Sequence, residues 1–279
     1  MTATAYEKLE QRFRRILVLG DAGEALQWDY ATMMPAGGGP GRGEQLAELS
    51  GVCHSLLSDS ETGDLLEEAD QDGNLNNWQS ANLQAMKRKW VHATALSEDL
   101  VLAFSKACTG CETVWREARA ASDFAAVLPH MEALLGLVRQ CASAKAEKLG
   151  LSPYDALLDE FEPGGRSADI DVRFAELEAF LPDFLGNVLE KQKSDPAPAF
   201  PQGPFAAETQ RQLGLKLMTA LGFDFNHGRL DVSLHPFCGG TPDDVRITTR
   251  FDEDDFSSAL MGVLHETGHA LYERGLPAR

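Results

Sequence analysis

His265-Glu266-Thr267-Gly268-His269 is the stretch of this 279-residue chain whose residue types and spacing most clearly compose a reaction site. On a helix, two histidines four residues apart lie on one face, separated by about 6 Å of axial rise. Both imidazoles can then reach one metal ion at about 2.0–2.1 Å. Glu266, turned about 100° from His265, is directed at a metal-bound water rather than at the ion. Its carboxylate would take the water's proton during attack and deliver it to a leaving amine. The ion would lower the water's pKa towards ~7 and polarise the scissile carbonyl. The motif predicts metal-assisted peptide hydrolysis, with His265 and His269 as metal ligands and Glu266 as general base.

A catalytic site of this kind takes a third protein ligand. In a metzincin it would be a histidine six residues beyond His269, with a glycine three beyond, but those positions hold Gly275 and Tyr272. Glu273 is about 12 Å along the helix axis from His265, too far to share its ion. The third ligand is therefore expected either upstream or outside this chain, the second being the more economical reading.

These residues need elements to hold them. Phe256, Leu260, Val263, Leu264 and Leu271 recur at helical spacing around the motif, behind a solvated acidic first turn at residues 252–255 and before a stop at Gly275. Leu230, Val232 and Leu234 alternate with Arg229, Asp231 and Ser233, which predicts a half-buried strand. Residues 245–251, rich in β-branched side chains, predict a second strand, and turn chemistry at residues 239–243 predicts an antiparallel hairpin between them. Asp244 and Arg246 share a strand face, as a surface ion pair or as support beneath the active-site floor.

Upstream, residues 1–195 read as helix after helix. Tyr6, Leu9, Phe13, Ile16 and Leu17 form an apolar stripe that Gly20-Asp21-Ala22-Gly23 is expected to end. A second start at Glu24 runs to Pro35, and residues 37–41 read as a loop. Further helices are expected over residues 43–57 and 75–95, from an N-cap at Ser97, and over 124–149 with a stop at Gly150. Residues 171–193 form another, with Pro182 as a kink point. Residues 194–201 are a Pro/Ala-rich linker within one architecture. Residues 204–279 then carry a helix (205–221), the hairpin and the H-E-x-x-H helix. The expected fold is mostly α, with a small antiparallel hairpin or sheet before the metal-binding helix.

Composition narrows the partners. Asp and Glu number 43 against 25 Lys and Arg, and a net charge of −18 disfavours nucleic acid and anionic membrane surfaces. Five scattered cysteines and an amino terminus without signal-peptide character predict a reduced, cytoplasmic chain.

The chain also resembles the carboxypeptidase Taq family of metallocarboxypeptidases over nearly its whole length. Residues 265–273, H-E-T-G-H-A-L-Y-E, are similar to that family's metal helix. Asp244-Val245-Arg246-Ile247-Thr248 resembles its D-x-R-x-T motif, and His235-Pro236-Phe237 its H-P-F motif. Leu26-Gln27-Trp28-Asp29-Tyr30, Met34-Pro35 and Glu44-Gln45-Leu46 are similar to its amino-terminal region. The resemblance implies a helical, zincin-like, dimeric enzyme that removes residues one at a time from peptide carboxyl termini. It implies zinc, or cobalt, on His265 and His269, with Glu266 as general base. The family's third ligand, a glutamate in an H-E-S-Q-like segment, falls after the metal helix, so this chain is expected to be a truncated, amino-terminal half. Little or no peptidase activity is then expected of it alone, and a last helix short of packing neighbours predicts exposed apolar surface and self-association.

Other signals carry less. Cys108 and Cys111 have C-x-x-C spacing but read as small core residues. His54, His92, His130 and His227 are isolated, and His235 is expected to brace the sheet. Trp28, Trp78, Trp90 and Trp115 read as core. Two rivals stand beside the carboxypeptidase reading: a helical zinc oligoendopeptidase, and a non-catalytic helical scaffold that keeps the motif.

Overall fold

The structure, a computed structural model, describes residues 3–196, 199 and 201–276. Helix α1 (Ala5–Thr32) begins with a reciprocal cap: Glu7 N–H donates to the Thr4 hydroxyl, and Thr4 N–H donates to the Glu7 carboxylate. It runs straight through the Gly20–Gly23 segment expected to end it. Each glycine costs a helix about 1 kcal/mol relative to alanine. Here both ends of α1 are buried, Tyr6 and Leu9 at one and Trp28 and Tyr30 at the other, and packing outweighs the local penalty.

The expected loop at residues 37–41 is also only half a loop. A single 3₁₀ turn (Ala36–Gly38) leads into α2 (Gly39–Ser58), with Pro40 in its first turn, where no N–H is needed. The buried residues of α2 are Gly39, Gly43, Ala47 and Gly51, a stripe of small side chains at four-residue spacing. That stripe admits α5 (Glu98–Ala121) at close range: a Cβ on Gly51 would come within 3.0 Å of Leu102. Between them lie α3 (Ser60–Asp70), which the reading of the sequence missed, and α4 (Asn77–Thr94). Leu65, Leu66, Leu83 and Met86 from these two helices close over Tyr6 and Leu9 of α1 to form the first core.

Ser97 caps α5 as expected, accepting from Leu100 N–H. Helix α6 (Phe124–Leu149) ends at left-handed Gly150. A short α7 (Pro153–Phe161), also missed, precedes α8 (Ser167–Gln192), which continues through Pro182. Of the expected linker, residues 197, 198 and 200 lie outside the described residues. Trp78 departs from the core reading, at 85% exposed.

The second core holds the motif. After α9 (Ala207–Ala220) come β1 (Gly228–Val232), β2 (Cys238–Thr241) and β3 (Asp244–Thr249), in sheet order β1-β3-β2. The predicted antiparallel hairpin of β1 with β3 is wrong in its pairing. These strands run parallel, with Leu230 beside Ile247, and β2 is the antiparallel partner of β3. The Gly239-Gly240 pair misled because it serves a strand instead of a turn. Gly240 adopts φ +96°, and a Cβ there would lie 2.1 Å from the Asp244 carbonyl oxygen, so only glycine admits that approach. Helix α10 (Phe256–Arg274), capped by Asp255, lays Val263 and Ala270 on Val245, Ile247, Leu230 and Met218. The fold is mostly helical with one small sheet, as expected.

Candidate metal centre

The apolar period of α10 decides which way its motif faces. Ala259, Val263, Thr267 and Ala270 are buried against the sheet and α9, which turns His265 and His269 out to solvent and Glu266 inward at 7% exposure. The two imidazoles converge. Their Nε2 atoms are 3.1 Å apart, with ring centroids at 4.8 Å and planes at 82°. Nitrogens 3.1 Å apart can each sit about 2.0–2.1 Å from one ion at an N–metal–N angle of roughly 100°, close to tetrahedral. The donor pair therefore fits a zinc-like cation. Among the described residues, no group of three or more His, Cys, Asp or Glu side chains is placed to hold a metal.

Glu266 sits beside β2, one of the two edge strands. Burial first, and then the charges of Glu266 and Glu273, push the Cys238 thiol up to about 11.

The sheet's connections explain two of the sequence motifs as one device. Thr248, fully buried on β3, accepts from Phe237 N–H at 3.1 Å, and its hydroxyl lies 2.7 Å from that of Ser233. The Ser233 hydroxyl reaches the His235 carbonyl at 2.6 Å, and Thr248 N–H donates to the Phe237 carbonyl at 2.9 Å. The threonine of D-x-R-x-T thus holds the H-P-F turn, and His235 takes part through its backbone oxygen while its side chain is exposed. Ser233, the serine two residues ahead of the H-P-F motif, was missed as a member of this network.

Asp244 and Arg246 do pair, at 2.9 and 2.5 Å. The pair faces away from α10, because its neighbours Val245 and Ile247 fill the opposite, α10-facing side. Arg246 lies over the Trp28 ring at 4.4 Å and Arg229 over it at 5.0 Å, which ties the sheet to α1. The alternative of support beneath the histidines is not what this pair does. Next to Trp28, Asp29 is bound by Arg42 at 2.7 Å, and the Tyr30 hydroxyl lies 2.9 Å from that of Thr113.

The remaining histidines and cysteines lie elsewhere. His92 is buried, with Nε2 3.0 Å from Asp159. Cys108 and Cys111 are free thiols on α5, only half-buried where core positions were expected, and burial raises the Cys108 thiol.

The family model described as Carboxypeptidase Taq (M32) metallopeptidase matches residues 8–279. Thermostable carboxypeptidase 1 of Thermus thermophilus is 35% identical over 98% of this chain and 56% of its own length. Carboxypeptidase 1 of Bacillus subtilis is 32% identical over 99% of this chain and 55% of its own. The solved structure of Trypanosoma cruzi metallocarboxypeptidase 1 superposes with a TM-score of 0.85 at 38% identity, over 99% of this chain and 55% of that one. The chain spans a little over half the length of the relatives it matches.

Proposed function

The chain belongs to the carboxypeptidase Taq (M32) family of metallopeptidases, and from that membership we propose that it forms the metal-helix part of a metallocarboxypeptidase releasing amino acids from peptide C-termini. His265 and His269 hold the ion, zinc by preference and cobalt as the alternative. When bound, the ion supplies a Lewis acid for the scissile carbonyl and an acidified water. Glu266 accepts the water's proton at its carboxylate and returns it to the leaving amine. Peptides with free C-termini are the substrates, a homodimer is the working assembly, and the reducing cytoplasm suits five free thiols.

The observation that supports this most directly is the 3.1 Å convergence of two exposed imidazoles beside a buried glutamate. A full His₂Glu site needs a third donor from outside the described residues. The 279-residue chain alone should therefore bind its ion weakly and turn over little peptide.

Calorimetric titration with zinc tests the reading. One-to-one binding that His265→Ala removes is expected, and no binding at saturating zinc would favour the non-catalytic scaffold. Product analysis separates the two peptidase classes. Single C-terminal amino acids are expected, whereas internal fragments would mark an oligoendopeptidase.

A further inference from the structure

Cys108 and Cys111 stand three residues apart on α5, with Thr109 and Gly110 between them, and both are half-buried rather than packed away. On an ideal helix, α-carbons at that spacing are about 5 Å apart, inside the span of ~4.4–6.8 Å that a disulfide bridges. Their Cβ atoms, about 5–6 Å apart, have to close to roughly 3.5–4.5 Å, so the helix must give locally for the bond to form.

Gly110 supplies that give. It lies inside a 24-residue helix, where glycine is disfavoured. On α2, Gly39, Gly43 and Gly51 each have a side chain of α5 against them, whereas a Cβ on Gly110 would meet nothing within 4 Å. Packing does not call for this glycine; what it changes is the stiffness of the turn that joins two thiols. The other residue of that turn, Thr109, is buried, and its carbonyl accepts from the hydroxyls of Tyr30 at 3.2 Å and Thr113 at 2.8 Å. Tyr30 lies near the end of α1, two residues beyond Trp28, whose ring carries Arg229 and Arg246 of the sheet. A change in the turn therefore reaches the contact between α5 and α1.

We propose that Cys108 and Cys111 form a reversible disulfide site, closed by a small disulfide such as oxidised glutathione, and that closure loosens the hold of α5 on the end of α1. Burial first, and then the charges of Cys111, Glu112 and Cys141, raise the Cys108 thiol, so Cys111 makes the first attack. Its thiolate displaces one glutathione thiolate and leaves a mixed disulfide, and the Cys108 sulfur then displaces the second glutathione. Each cysteine proton ends on a departing glutathione; the cysteine pair loses two electrons and the glutathione disulfide gains them. A bond that has to bend a helix belongs to the strained, easily reduced kind, so reduced glutathione reopens it. No step involves the metal site.

Glutathione buffers of rising disulfide-to-thiol ratio test this on the folded 279-residue chain, followed by acid quenching, trypsin digestion and mass spectrometry. Residues 107–116 form one tryptic peptide with both cysteines, and Cys141 falls on another. The expected result is loss of two hydrogens from the first peptide with the second unaltered. Gly110→Ala keeps both thiols and adds a methyl group in open space, and it should lower the closing equilibrium about fivefold through alanine's helix preference. Oxidation should also speed amide exchange several-fold at residues 28–32, and Cys108→Ser should remove that effect. Mixed disulfides without ring closure, an equilibrium unmoved by Gly110→Ala, or unchanged exchange at the end of α1 would each overturn the proposal. So would a Cys108–Cys141 link, which would join α5 to α6 instead.

Discussion

Pro236 lies against Gly262: a Cβ on that glycine would sit 3.7 Å from the Pro236 ring and 3.5 Å from the Thr249 hydroxyl. The H-P-F turn therefore rests on α10 one helical turn before Glu266, and the strand that follows the turn carries Cys238 to the glutamate's side. Two segments that look unrelated in sequence set one surface. A single methyl group fits at ordinary contact distance, and alanine also favours the helix by about 1 kcal/mol over glycine. Gly262→Ala should hold or raise the melting temperature. Gly262→Val, whose branches must enter the turn, should destabilise the fold by an amount typical of overpacking, about 1–3 kcal/mol in denaturant titration.

Thr248 makes a sharper test of the same surface. Thr248→Val keeps the shape but leaves the partly buried Phe237 N–H without its side-chain acceptor, at a cost of about 1–3 kcal/mol. Thr248→Ser keeps the hydroxyl and loses one methyl group, about 1 kcal/mol. Calorimetric zinc titration of both variants checks whether the turn also sets the metal helix. Weaker binding in the valine variant, restored in the serine variant, is the expected pattern.

Much of the metal helix was legible in the sequence because its information is local. His265, Glu266 and His269 are related by helical period alone, and Ser97 and Gly150 mark ends through bonds to residues three or four away. What was not legible depends on partners distant in the chain. Leu230 pairs with Ile247 in parallel only because the H-P-F turn crosses to an inserted third strand. Gly20 and Gly23 stay helical because burial at both ends of α1 outweighs their propensity. The buried His92–Asp159 pair spans 67 residues, and neither residue carries a local sign of the other.

Asp159 is the other site where charge is deeply invested. Burial alone would raise its carboxyl. Hydrogen bonds from His92, Arg166, Gly164 N–H and Arg88 override this and hold it well below the usual carboxylate range. With the folded value depressed, its stabilisation is full above the unfolded carboxylate pKa of about 4 and is lost as pH falls below it. Asp159→Ala should cost about 3–5 kcal/mol at neutral pH, since it strands His92 and two arginines. The same variant should flatten the acid limb of a plot of denaturant midpoint against pH.

Asp255 governs the entry to the metal helix by the same sign of linkage. Its carboxylate accepts from the hydroxyls and backbone N–H groups of Ser257 and Ser258, which lower it to about 2. The cap is intact above about pH 4 and is lost as pH falls towards 2. Amide exchange at the first turn of α10 should accelerate across that window before the rest of the helix does. Asp255→Ala should show the fast rate already at neutral pH.

Cys238 reports on Glu266 without any metal. Its thiol is raised to about 11 by burial and by the negative charges of Glu266 and Glu273, so at pH 8 very little thiolate is present. Replacing Glu266 by glutamine removes one of those charges and keeps the side-chain volume. The thiol pKa should fall, and alkylation of Cys238 by iodoacetamide, followed by peptide mass spectrometry, should speed up several-fold. Cys53 is an internal control, because burial alone raises its thiol and its rate should not change. Equal rates for Cys238 in both proteins would mean that the glutamate's charge does not reach the edge strand, and its inward placement beside β2 would then have to be given up.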